Sequence, residues 1–174
     1  MKKMEMRIGA IGIDEKSGDP IVVLKDTENT RVLPIWIGLP EARAITLAAN
    51  KVVSPRPLTH DLLYSTIEQL GYKVKEVVID KIESHTFIAT IYLHSPGSDG
   101  ASALAIDARP SDAIALALKA EAPLMVAENI VAEAGVSVVQ AAPKDEEFSE
   151  FVSSVKASDF KVAGKVELPP DEEE

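Results

Sequence analysis

The segment IDARPSDAIALALK, residues 106–119, sets Asp107, Arg109, Ser111 and Asp112 within six positions and then runs into alternating alanines and aliphatics. Two carboxylates so close could share a Mg2+ or Mn2+ ion while Arg109 faces a phosphate, because hard divalent cations take oxygen ligands and a guanidinium matches phosphate geometry. A plainer arrangement accounts for the same residues. Asp107 ends a strand, Ser111 caps the helix that follows, Asp112 favours the positive end of that helix, and Arg109 pairs with one of the acids. Either way, a strand end must abut a helix start here.

SPRPLTHDLL, residues 54–63, repeats the pattern: Arg56 and a proline, then Thr59 as a candidate cap and Asp61 in the first turn, with His60 between them. Helix N-termini present free backbone N–H groups, so two such starts gather anion-binding potential, two guanidiniums, a histidine and several carboxylates. His60 has the residue type for proton transfer near neutral pH, and equally for a hydrogen-bonded surface position. Glu41, just after Pro40, is a conventional first-turn acid or a third carboxylate. His85 falls in a turn and His94 ends a strand; neither has a sequence neighbour that marks a metal site, and both are assigned to structure or surface. Trp36 reads as core or interface packing.

The elements that must position these groups follow from periodicity. EMRIGAIGI, PIVVLK and RVLPIWIG read as three short strands separated by the turn-rich DEKSGD and DTENT, an antiparallel meander. Pro34 places the third strand at an edge or a bulge, since proline offers no N–H to a ladder. A helix spans about Pro40 to Asn50, and a second runs from a Thr59 cap to Gly71. YKVKEVVID, TFIATIYLH and ALAID are strand-like, the Ser111 helix buries Ile114, Leu116, Ala117 and Leu118, residues 122–127 form a strand, and ENIVAEAG a short helix. Three strands and a helix thus occur twice, and a shift of 69 residues lays IGLPEARAITLAA over IDARPSDAIALAL with five identities in 13 positions. The pattern suggests a duplicated βββα unit within an α+β fold whose mixed sheet is largely antiparallel.

Composition bounds the function. The chain has 174 residues and no cysteine, which excludes thiol nucleophiles, disulfides and cysteine-bound zinc. A net charge of −10 argues against an open nucleic-acid-binding surface. Residues 143–174 carry ten acids and four bases, a net of −6, which leaves the body at −4. Glu5 and Arg7 break any secretion-signal core, and Lys119, Glu121 and Pro123 cut the most apolar run short of a membrane span, so a soluble, cytoplasmic protein is expected. Residues 1–142 form the expected domain. Phe148, Phe151, Val152 and Val155 share one face of an expected amphipathic helical appendage within 143–163, and 164–174 is an acidic tail expected to be disordered.

RVLPIWIGLPEARAI, RPLTHDLL with TIEQLG after it, TFIATI, and IDARPSDAIALALKAEAPLMVAEN resemble, in order and spacing, the successive motifs of the bifunctional nuclease family, over about residues 6–135. The resemblance implies a mixed-sheet α+β domain that self-associates, as a homodimer, and RNase and DNase activity. It carries over Glu41, Arg56, Thr59, His60, Asp61, Asp107, Arg109, Ser111 and Asp112 as the polar members of matching motifs. Some members continue into a further C-terminal module, where this chain has the Phe-containing segment and acidic tail. The expected function is hydrolysis of RNA and DNA with activated water. Asp107 and Asp112 would hold Mg2+ or Mn2+; Arg56, Arg109, Thr59 and Ser111 would bind substrate; His60, Asp61 and Glu41 would serve catalysis. The alternative is a non-catalytic module that senses an anion or nucleotide, or binds a protein.

Overall fold

The structure is a computed structural model that describes residues 2–15, 17–95 and 104–137. Three strands, β1 (Lys3–Ile13), β2 (Pro20–Asp26) and β3 (Arg31–Trp36), lead into helix α1 (Leu39–Ala49). Helix α2 (Thr59–Gln69) precedes a second set, β4 (Lys73–Glu83), β5 (Thr86–His94), β6 (Leu104–Ala108) and α3 (Pro110–Ala120). The described chain closes with β7 (Leu124–Ala127), α4 (Glu128–Ala134) and β8 (Val136–Ser137). The α+β class and the twice-repeated order of three strands and a helix are as expected from the sequence.

Local chemistry makes the meanders. Asp26 closes the turn between β2 and β3: its carboxylate accepts from the Thr30 N–H at 2.8 Å and the Thr30 hydroxyl at 2.7 Å. Ser84 and His85 both take positive φ, 49° and 62°, in the two-residue turn joining β4 to β5, the conformation whose twist matches paired strands. The strand order is β6-β5-β4-β7-β1-β2-β3-β8. β7 runs antiparallel to β1 and parallel to β4, so the two meanders stand on either side of it, related by an approximate half-turn about the sheet normal.

β1 belongs to both halves. Lys3, Met4 and Glu5 pair with β7, whereas Met6 to Ile13 pair with β2. The register slips at Gly9, where a Cβ would meet the Lys25 side chain at 3.1 Å and the Val23 carbonyl at 3.3 Å. Bulges bend and twist a strand. A flat sheet would hold β3 and β5 about 24 Å apart, five strand spacings. Instead the end of β3 and the start of β5 line one cleft, so the sheet curls.

α3 lies against the concave core with Ala113, Ile114, Ala115, Leu116 and Ala117 buried, and α1 and α2 both pack on it. Opposing it are Val22, Leu24, Leu33, Ile35, Val77, Ile79, Ile91 and Leu93. Emptying a site such as Ile114 to alanine costs on the order of 2–5 kcal/mol. Among the described residues no helix is long and apolar enough to cross a membrane.

Several expectations shift by a few residues. The α2 N-cap is Leu58, not Thr59, because the Asp61 carboxylate folds back onto the Leu58 N–H at 2.8 Å and starts the helix one residue earlier. The α3 N-cap is Arg109, not Ser111, because Pro110 already has helical φ and no N–H to lose at the first position. β4 runs three residues past the expected Asp80, through a bulge there, to reach its turn. Pro34 pairs with Val23 on one side only, since β8 covers just Arg31 and Val32; it sits on an edge, as its missing N–H requires. Trp36 is not core: it is 54% exposed. The amphipathic segment and acidic tail expected beyond residue 142 lie outside the described residues.

Candidate functional site

Three helices begin side by side, and each has an acid at its third position: Glu41 in α1, Asp61 in α2 and Asp112 in α3. Acids suit these positions because the first-turn N–H groups lack intrahelical partners. Two of the three share one cation, and the third takes another.

Arg109 joins two of them. Its Nε and Nη2 donate to the two oxygens of Asp112 at 2.7 and 3.1 Å, and its Nη1 donates to Glu41 Oε1 at 2.8 Å. Three of five guanidinium N–H groups are thereby used, two remain, and the side chain is 64% exposed. Asp112, first, and Glu41 stabilise the guanidinium charge and raise its pKa still further. Gly38, the α1 N-cap, is what lets Glu41 fold back: a Cβ there would lie 2.2 Å from Glu41 Oε2.

Asp112 also takes His60. Its Oδ1 lies 3.0 Å from His60 Nε2, in a pair whose side chains are 27% and 16% exposed. Burial pushes the Asp112 carboxyl upward, but hydrogen bonds from Arg109 and His60, with their charges, outweigh it and hold the pKa below the ordinary value. Asp61 meets a different cation. Lys119, in the last turn of α3, donates to its Oδ1, and this bond, with the Leu58 N–H, lowers the Asp61 pKa.

Glu41, Arg109, Asp112 and His60 therefore form one bonded cluster. Asp61, expected to work with its neighbour His60, bonds instead to Lys119. Asp107 stands exposed on β6 opposite Thr90, whose hydroxyl donates to Asp80 Oδ2 at 2.8 Å, and its expected companion Asp112 has both oxygens engaged by N–H donors. Among the described residues no group of three or more His, Asp or Glu is placed to hold a metal ion. Arg56 is exposed in the connection before α2 with no partner among the described residues, and Thr59 is exposed at the first position of α2.

A cleft of about 510 Å³ opens beside the cluster, lined by Asp19, Trp36, Gly38, Glu41, His85, Phe87, Arg109 and Ser111, among others. Ser111 reaches it while only 6% exposed. His85, read from sequence as structural or surface, and Trp36, read as packing, are both cleft residues. For Trp36 the signal was present: Leu33 and Ile35 alternate inward, which turns residue 36 to the other side. For His85 no local signal exists, since its place depends on the curl of the sheet.

Mixed sheet, helix-start cluster and cleft together define an α+β domain with a polar site at the junction of two βββα units. A family model for the bifunctional nuclease domain matches residues 22–139, and the chain belongs to that family. An uncharacterized protein of Mycobacterium tuberculosis is 35% identical over 167 residues, covering 90% of this chain and 98% of its own length. Bifunctional nuclease 2 of Oryza sativa is 29% identical over 131 residues, 75% of this chain and 40% of the plant protein. Bifunctional nuclease 1 of Arabidopsis thaliana is 27% identical over 122 residues, 70% of this chain and 37% of its own length.

Proposed function

We propose that this chain hydrolyses phosphodiester bonds of RNA and DNA, working in the cytoplasm as a homo-oligomer. Besides family membership, the observation that carries the reading is the sharing of Asp112 between Arg109 and His60. The two spare N–H groups of Arg109 suit a phosphate, whose charge they would stabilise as it grows during attack. With Nε2 donating to Asp112, Nδ1 becomes the basic nitrogen of His60, the one fitted to accept a proton from water. DNA has no 2′-hydroxyl to attack its own phosphate, so water is the nucleophile that one site can use on both polymers. Glu41 and Asp112 hold the guanidinium in place, and Ser111 offers a hydroxyl at the cleft wall.

A non-catalytic anion-binding module is the second reading. The net charge of −10 favours it, as does the neutralisation of Arg109 by Glu41 and Asp112 and of Lys119 by Asp61. Purified protein incubated with fluorescent RNA and DNA oligonucleotides separates the two. Turnover that co-elutes with an oligomer on sizing supports the nuclease; binding without turnover supports the module. The same assay with Mg2+ or Mn2+, and with excess EDTA, decides the metal: EDTA-sensitive turnover assigns water activation to a bound ion, EDTA-insensitive turnover to His60.

A further inference from the structure

We propose that Trp36 is the platform on which an unpaired nucleobase stacks while its phosphate lies at Arg109, so that the cleft takes single-stranded or flipped-out nucleotides and rejects paired ones. The inference rests on the nuclease reading and names the form of substrate that it takes. Trp36 is the chain's single tryptophan. A large aromatic left 54% exposed at the mouth of a cleft forgoes the burial that such side chains usually find. Its polar atom is already spoken for: Nε1 donates to Asp14 Oδ2 at 2.9 Å. The ring is thus tethered through its edge, and what it offers a ligand is π surface, the part that every base recognises regardless of sequence.

The rest of the cleft matches a nucleotide. Arg109, with two unused N–H groups, gives the lining a cation for phosphate, and Asp19 gives it an acceptor for base N–H groups. Phe87 adds a second aromatic wall. A volume of about 510 Å³ falls in the range of small-molecule sites, with room for one nucleotide and none for a duplex. In a duplex both faces of a base are covered by its neighbours, so a base can reach Trp36 only after leaving the stack.

Because no other tryptophan contributes, tryptophan emission excited beyond the tyrosine absorption band reports on Trp36 alone. Stacking should quench it on titration with a short oligothymidylate, and neither the same strand annealed to its complement nor an abasic strand should do so. Equal quenching by all three, or none by the single strand, would overturn the proposal. Trp36→Ala should raise KM for a single-stranded substrate by about 5- to 150-fold with kcat little changed, and Trp36→Phe should retain most of the affinity. An unchanged KM in Trp36→Ala would also overturn it. Quenching without turnover would uphold the stacking site and remove the nuclease reading, whereas turnover without quenching would do the reverse.

Discussion

The dipeptide Arg-Pro occurs near the start of both α2 and α3, and its arginine meets opposite fates. Pro110 is the first residue of α3, so Arg109 is the N-cap and Asp112 lies three residues on, within reach of a forked ion pair. Pro57 precedes the N-cap Leu58, so Asp61 lies five residues beyond Arg56. Arg56 stays exposed without a described partner, and Asp61 is left for Lys119. Two residues of extra spacing decide whether a helix start stores its cation in a clamp or leaves it to solvent. The two helices also differ in anchorage: seven α3 residues are buried, against Ile67 alone in α2. Hence α2 depends on the polar bonds of its first turn, His60 to Asp112 and Asp61 to Lys119, to stay registered on α3.

The sharpest way to break this contrast is Arg109→Ala. Losing the clamp should lower kcat/KM on the order of 10²- to 10³-fold, while stability falls by about 1 kcal/mol or less because the side chain is largely exposed. Turnover and melting temperature on the same samples check both numbers, and a loss below tenfold would make the cluster structural. Next comes acid. The Asp61 and Asp112 pKa values lie below their ordinary ones, so their contribution to stability is present above about pH 4, the usual carboxyl range, and is lost as pH falls through the lowered values. Melting temperature should be level from about pH 7 to pH 5 and drop below about pH 4. Asp112→Asn should cost about 1–2 kcal/mol at pH 7 and flatten that drop. Smallest is Arg56→Ala, which should leave melting within about 0.5 kcal/mol of the parent and raise KM less than about fivefold. If it equals Arg109→Ala in kcat, spacing is not what separates the two arginines.

Most elements were legible in the sequence, because strand alternation and helix punctuation are local signals. Pro34 marked its edge and Gly71 the end of α2 region by the chemistry of their own backbones. The site was legible in part. Arg109, Ser111 and Asp112 are close because one short segment carries them to a helix start, whereas Glu41 reaches Arg109 from 68 positions away through the packing of α1 on α3. The His60–Asp112 bond joins residues 52 positions apart and exists only because α2 packs on α3, which no local pattern encodes. The expected helix caps failed for a related reason: Asp61 and Pro110 outcompete the hydroxyls of Thr59 and Ser111 for the first turn, and composition alone does not rank such contests.

Strand β7 has a bearing on how the molecule is made. Lys3 pairs with Ala127, so the opening residues of the chain must wait for a partner more than 120 residues away. During synthesis each meander can zip up from neighbouring segments as it emerges, but their union is deferred until Leu124 to Ala127 arrive to fill the gap. Trp36 and Glu41 come from the first meander unit, Phe87 and Arg109 from the second. A nascent chain halted before β7 would therefore carry two half-clefts and two bare inner edges, β1 and β4, open to pairing with other chains. Completion of the cleft and concealment of those adhesive edges become a single late event.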